Sequence, residues 1–536
     1  MSPFIISSIN IRYIICLFGF LTLLFLTPPA FAATTIPFTI NLSEAVTVTG
    51  TPRIAVDVGG VTRYATYSSG SGTSALTFTY SMVAGDVELD GVTVSSPIDL
   101  NGGTIKDLSG NDLSPLTFTV PNTSNVKVNY PSLGMDFIYD ADGRYTLNGT
   151  AYNDLSSFLT AASGTFTRAS VGTYFDSTGT LQTAASGVPR FDYDPISFTT
   201  KGILIEESRT NSTINTPTGQ AGTVSASTIS GPNGIVSGYR FLANGTNANH
   251  AIYFGTQSTT SGTTYTESVF VKAGSLTLLQ MGISSSVVNT GNAYANFNLA
   301  TSAITNGASI ISSGITPLPN NWFRIWITFT ANGVGGTAAG QISTITSMSD
   351  PKTPANTSSG DFYIYGPQRE IGSFPTSYIP TTTAAVTRAA DRLTIPTTSI
   401  SNIQFSTYVD YGPLSRYNSQ WQDIITFMNG GSRIAGIEAK NSNNPGAYSL
   451  SPIVSTTGLP AYSQYLQNKT AATWGSSNII ASSNGSAIST AAGAGIRNIT
   501  SMNFGFGGNT LYNGNVRQLK IYPLPVTGTQ LQLMTQ

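Results

Sequence analysis

The sequence predicts an all-β, multi-domain chain assembled from β-sandwiches. Three observations carry that prediction. From Ala33 onward, Val, Ile, Thr, Tyr and Phe alternate with polar residues in short runs such as ALTFTYSM (from Ala75), FRIWITFT (from Phe323), DFYIYG (from Asp361) and QLKIYPL (from Gln518). A period of two is the mark of a strand with one buried face. Gly, Asn and Pro punctuate these runs, as the turns between short antiparallel strands require. Helical patterning is sparse; NDLSSFLTAAS (from Asn153) and the tail TGTQLQLMTQ (from Thr527) are the two stretches that offer a short helix. A length of 536 residues is enough for three domains of ordinary size or slightly more.

Composition narrows the function. Only 9% of residues are charged, against roughly 25% in an average soluble protein. Ser, Thr, Asn and Gly take their place, so the chain does not read as a membrane protein. Apolar residues at 40% and aromatics at 10% supply cores and argue against disorder. A net charge of −1 gives no electrostatic footprint for nucleic acid or an anionic membrane. The N-terminus has Arg12, an apolar run from Ile14 to Leu26, Pro28-Pro29 and then Ala30-Phe31-Ala32. That is a secretory signal over residues 1–32 with an A-x-A cleavage site, and the run is short for a membrane span. The expected mature protein is exported, secreted or at the cell surface, and not membrane-spanning. Cys16, the single cysteine, lies within the signal, so folding rests on β cores rather than disulfides.

Residues 33–128 form the first unit. FTINLSEAVTVTGTP, VGGVTRYATY, LTFTY, AGD and IDLNGGTIKD resemble the bacterial Ig-like repeats of large secreted adhesins and surface proteins. The resemblance implies an Ig-like sandwich. Its acidic turns GDVELDG (Asp86, Glu88, Asp90) and KDLSGND (Asp107, Asn111, Asp112) are candidate oxygen ligands for calcium. Turn chemistry selects the same residue types without a metal.

Residues 129–206 carry FTRAS, TYFDSTGTLQTA, VPRFDYDP and GILIEESRTN. The series resembles a leader found in phage-tail and prophage-encoded surface proteins, where it precedes a carbohydrate-binding-like jelly roll and often a concanavalin-like lectin fold. Residues 207–390, with VFVKAG, NWFRIWIT and GPQREIGSFPTSYIPT, resemble that jelly roll. Residues 391–536 resemble the concanavalin A-like or laminin-G-like sandwich, most clearly in FGGNTLYNGNVRQLKIYP. If the leader supplies strands to the last sandwich, the jelly roll is an insertion. The two TRA stretches, at Arg168 and Arg388, then mark the chain leaving and re-entering, each arginine pairing with a nearby carboxylate (Asp176, Asp391). Two linkers of similar composition are the plainer alternative.

Catalysis has little to work with. The single histidine, His250, lies in NGTNANHAIYFG without a His or Cys partner and reads as a surface or strand-edge residue. A glycoside hydrolase needs two carboxylates flanking the scissile bond. Asp410, Asp423 and Glu438 are widely separated in sequence, while Asp192 with Asp194 and Glu206 with Glu207 fit loop pinning and strand ends. The chain is therefore expected not to be an enzyme. Sugar recognition uses aromatic faces with Asn, Asp, Arg and Gln around them. The candidates are Tyr417 with Trp421, Tyr462 with Tyr465, and Tyr512 with Asn513, against ordinary packing for each. Trp322 and Trp326 share one strand face and read as core. The expected function is non-catalytic recognition of a glycan, polysaccharide or cell-surface polymer in adhesion. The alternatives are a structural envelope or matrix role and a polysaccharide-degrading enzyme.

Overall fold

A computed structural model describes residues 8–10 and 34–536, except 142, 256, 285–286, 289–292, 333–336, 339, 398–403, 414–421, 440–444, 451–452, 458, 461–466, 494–497 and 506–511. Antiparallel strands build nearly all of it. Among the described residues the α-helices are Leu155–Ala161 and Gly528–Thr535, inside the two stretches whose patterning offers a helix. Asp154 caps the first by accepting the Ser157 amide at 2.7 Å, and Leu155, Phe158 and Leu159 are its buried face. No described helix is long and apolar enough to cross a membrane.

In the N-terminal unit, the long strand Thr35–Thr49 pairs with Thr73–Ser81 and, further along, with Thr104–Asp107. Val61–Ser69, Arg53–Val58 and Thr93–Asp99 continue the sheet. Alternation places Phe38, Ile40, Ile54, Val56, Leu76 and Phe78 in one core. Ser8–Asn10 pairs with Thr39–Asn41 on the strand's other side.

The C-terminal sandwich is discontinuous in sequence. Its ten-stranded sheet takes Leu133–Asp136, Tyr145–Leu147, Thr150–Tyr152, Phe191–Tyr193 and Thr200–Ile205 from the leader. The other five are Phe405–Pro413, Asn468–Trp474, Asn478–Ser483, Ser489–Ala492 and Gly514–Tyr522. Gly514–Tyr522 is the seam: one edge pairs with Phe405–Pro413, the other with Leu133–Asp136 and then Thr200–Ile205. The facing sheet runs from Thr165–Thr167 through Arg392–Pro396, Ser501–Phe504, Gln422–Asn429, Ser432–Ala439 and Pro445–Leu450 to Ile453–Ser455. One core mixes both segments, with Leu133, Phe137, Phe158 and Ile203 against Phe405, Phe427, Trp474 and Ile521. Phe405 stacks on Trp474 at 4.8 Å and meets Phe427 edge-on at 4.7 Å.

The segment between is a two-sheet sandwich with its own core, including Phe241, Val269, Met281, Phe297, Ile325, Ile327 and Phe362. Six strands form each sheet; Ser359–Ile371, Thr264–Ala273, Trp322–Thr330 and Ser312–Leu318 are consecutive neighbours in one of them. Its two ends meet. Arg209–Asn211 and Val386–Arg388 form an antiparallel ribbon with Arg209 opposite Arg388, so the chain leaves and returns at one place.

Two residues sit differently from their sequence reading. His250 is buried rather than at a surface or strand edge, its ring nitrogens within hydrogen-bond distance of the Ala221, Thr246 and Asn356 carbonyls. It ties a polar loop to the sheet. Trp322 and Trp326 do share a face, but Ile325 and Ile327 take the core side. Trp322 is nonetheless buried, in a second apolar cluster with Leu181, Phe270, Leu318 and Tyr378, whereas Trp326 is only half-buried on the outer face.

Phe405 fills the centre of the sandwich core, so its loss leaves a cavity. Phe405→Ala is expected to cost about 3–5 kcal/mol. Hydrogen exchange read by peptide would show lost protection in Phe405–Pro413, Asn468–Trp474 and Leu133–Asp136 together, because leader and C-terminal strands share that core.

Candidate functional site

Where leader, insertion and C-terminal sandwich meet, the interior is charged. Arg168 donates to Asp391 at 3.0 Å, and Arg190 bonds both Asp391 and, at 2.8 Å, Glu206. Glu206 also lies 2.9 Å from Arg388. These five side chains are at most 1% exposed. Ser377 donates its amide and hydroxyl to Glu206 at 2.7 and 2.6 Å. Burial alone would raise the Glu206 pKa, but Arg388, Arg190 and Ser377 outweigh it and bring it from 4.5 down to about 2. Burial also works against charge on Arg190, and Asp391 and Glu206 overcome it.

The strand Ser359–Ile371 explains the continuation of this cluster. Its register against Thr264–Ala273 slips between Ser268 and Phe270, where Gly366 adopts φ +58° and Tyr378 lies 2.8 Å from where a Cβ would stand. Burial alternates before this bulge, but from Gly366 to Glu370 every residue is buried. Both faces are covered there, which is why GPQRE carries charge inside. Glu370 accepts from Gln368, the Thr376 amide and the Thr376 hydroxyl. Arg369 reaches Glu267 at 3.0 Å. Asn211 locks the ribbon, accepting from the Thr213 and Arg369 amides and donating to the Pro367 and Ile379 carbonyls.

Above this cluster opens a cleft of about 480 Å³, within the usual range for small-ligand sites. Tyr174, Phe175, Asp192, Asp194 and Lys201 of the leader line one wall. Ile315, Arg324 and Trp326 of the insertion line the other, and Thr376 to Tyr378 lie beneath. The base is aromatic: Phe270 and Tyr378 line it at 5.8 Å from each other, and Tyr365 packs against both at 5.9 and 5.5 Å. Gly314 makes room for Trp326, since a Cβ there would stand 2.4 Å from the indole. The leader wall is tied down by Thr173 donating to the Tyr378 carbonyl and Leu181 donating to the Pro232 carbonyl.

The carboxylates in this cleft are already engaged. Asp192 accepts the Phe175 amide at 2.9 Å and lies 3.7 Å from Lys201. Asp194 accepts the Ile196 and Ser197 amides and the Ser197 hydroxyl. Despite burial, which pushes upward, those bonds hold its pKa below the usual carboxylate value. Neither Asp194 nor Glu206 is suited to hold a proton for general acid catalysis.

The residues singled out from sequence are distributed differently. Tyr417, Trp421, Tyr462 and Tyr465 lie outside the described residues. Tyr512 and Asn513 are fully buried; Tyr512 donates to the Asn515 carbonyl and Asn513 accepts the Glu207 amide. Arg168 takes Asp391, whereas Asp176 closes its own turn by accepting from Thr178, Thr180 and Gln182. Arg388 takes Glu206. Asp423 and Glu438, far apart in sequence, stand opposite each other on paired strands, both buried. Burial pushes the Asp423 pKa up, and Arg433 and Tyr448 bond it.

The acidic turns of the first unit serve protein contacts. Asp86 takes Arg63 and Tyr80; Glu88 accepts the Gly59 amide; Gln530 of the last helix donates to both Glu88 and Asp90. Val87 packs beside them against Tyr408, Tyr522 and Leu531, so this turn docks the first unit on the C-terminal sandwich. Asp107 is bonded by Asn111 and the Ser109 amide, and Asp112 by Lys106. Among the described residues no three His, Cys, Asp or Glu side chains gather as a metal site.

Glu206 makes the network pH-dependent with a defined sign. Its pKa is lowered on folding, so its contribution is complete above pH 4.5 and lost as pH falls towards 2. Glu206→Gln is expected to lower stability at pH 7 by about 3 kcal/mol. In urea unfolding, the gap between the two proteins should close between pH 4.5 and 2.

No family model and no curated protein matches the chain. Solved structures with detectable likeness include domain 4 of the GH43 extracellular arabinanase AbnA from Geobacillus stearothermophilus, in complex with arabinotriose. That match has 14% identity and a TM-score of 0.24, covering 30% of this chain and 82% of that one. Domains LG4-5 of the mouse laminin alpha1 chain match at 11% identity and a TM-score of 0.19, over 51% and 86%. Trypanosoma rangeli sialidase in complex with sialic acid matches at 8% and 0.22, over 94% and 82%. Superpositions this loose assign the chain to no family.

Proposed function

We propose that this chain is an exported, non-catalytic recognition protein that binds a glycan or cell-surface polymer in the cleft between leader and insertion. The observation that carries the reading is the lining of that cleft. Trp326, Tyr174 and Phe175 offer aromatic faces for sugar C–H surfaces, and Asp192, Asp194, Lys201 and Arg324 ring them with polar groups. The walls are fixed by the buried ion network, so little ordering is lost on binding. The signal over residues 1–32 supports export, and the resemblances of the N-terminal unit to adhesin repeats and of the rest to phage-tail lectin modules support a role in adhesion.

One observation favours a second reading. Asp423 and Glu438 face each other across adjacent strands, a spacing of about 5 Å between Cβ atoms, and burial raises Asp423. Two close carboxyls, one pushed up, are what a retaining glycoside hydrolase uses. Against it, Asp423 is already committed to Arg433 and Tyr448.

The test is a glycan and polysaccharide panel on the full secreted chain, read for binding and for released product. The expected result is saturable binding without product. Trp326→Ala should weaken it at least tenfold, about 1.4 kcal/mol, with circular dichroism verifying that the variant is folded. Product release abolished by Glu438→Gln would establish the hydrolase instead. Silence across the panel would favour a structural role.

A further inference from the structure

The strand Trp322–Thr330 presents Trp322, Arg324 and Trp326 on its outer face, a cation between two indoles. Every acidic group near that cation is already taken. Glu206 belongs to Arg190 and Arg388, Glu370 to Gln368 and Thr376, Asp192 to the Phe175 amide and Lys201, and Asp194 to its own turn. Arg324 itself donates to the Ser268 hydroxyl at 2.9 Å and lies 5.4 Å from the Phe270 ring. Its Nε is buried with no hydrogen-bond partner, as are those of Arg190 and Arg388; what sets it apart is that among the described residues it forms no ion pair, unlike Arg168, Arg190, Arg369 and Arg388 in the same region. Burial lowers its pKa, with Glu370 and Glu206 pulling the other way. A half-buried guanidinium without a carboxylate is costly to leave so, and a planar fork is suited to a carboxylate.

We propose that Arg324 is the anchor for a carboxylate-bearing sugar, so that the ligand of the cleft is an acidic glycan of the uronate class. The inference rests on the glycan reading of the cleft. In it, Trp326 and Tyr174 hold the sugar faces while the carboxylate reaches Arg324, which no carboxylate among the described residues pairs directly. Lys201, opposite, is partly spent on Asp192 and adds a weaker pull.

The experiment measures calorimetric affinity of the full chain for polygalacturonate, alginate and hyaluronan oligosaccharides, each against its carboxyl-reduced counterpart. At least one acidic member should bind tenfold or more tighter than its reduced form, and raised salt should narrow the difference. Arg324→Gln should remove the preference while leaving residual binding to the reduced form; Arg324→Lys should restore part of it. Circular dichroism and thermal unfolding verify folding of each variant. Equal affinity for acidic and reduced forms overturns the anchor but leaves the glycan cleft standing. A preference that survives Arg324→Gln in a folded protein also overturns it. No binding of any member, together with silence on the wider panel, overturns both readings.

Discussion

The structure depends on one buried arrangement: Arg168, Asp391, Arg190, Glu206 and Arg388 in direct contact at the point where three chain segments meet. Buried ion pairs are weak sources of net stability, because desolvation offsets most of their attraction. Their consequence here is positional. Each arginine must find its carboxylate, and the carboxylates come from segments about two hundred residues apart. A leader misplaced by one residue would strand a charge in the interior, at a cost of about 3–5 kcal/mol. The network therefore sets the register of the leader strands, the mouth of the insertion and the loop Phe374 to Ile379 against one another.

The cleft follows from that registration. Its two walls belong to different folding units, and neither alone encloses the space. Trp322–Thr330 turns Ile325 and Ile327 into the core of the insertion and leaves Trp322, Arg324 and Trp326 on the outer face. The hairpin of Gly172–Phe175 and Leu181–Ala184 then covers part of that face. Trp322 is sealed, its indole donating to the Ser230 carbonyl, while Trp326 stays half-buried at the opening. A recognition surface at a junction of rigid units is pre-organised by their packing rather than by flexible loops.

Much of the architecture was legible in the sequence because antiparallel strands with one buried face write an alternating pattern. The two short helices fall inside the two stretches whose patterning offers a helix, and Asp154 caps the first. What sequence reading could not supply was partnership. Asp176 and Arg168 are close along the chain, yet Asp176 is consumed by its own turn and Arg168 reaches Asp391. Asp423 and Glu438 look unrelated until strand pairing sets them opposite. Trp322 and Trp326 were assigned one face correctly, but periodicity cannot say whether that face meets the core of its own domain or a neighbouring segment. The signals that would have pointed to the cleft were an arginine in step with two tryptophans in WFRIW and paired acids in FDYDP. The aromatics of the last domain point elsewhere: Tyr512 is an internal core residue.

The most direct measurement is hydrogen exchange of the full chain, free and saturated with whichever glycan it binds. The account predicts added protection confined to the two walls, Gly172–Phe175 with Leu181–Ala184 and Ser312–Leu318 with Trp322–Thr330, and none in the strands carrying Asp423 and Glu438. Protection centred on Gln422–Asn429 and Ser432–Ala439, with the two walls unchanged, would contradict it and move the site into the C-terminal sandwich.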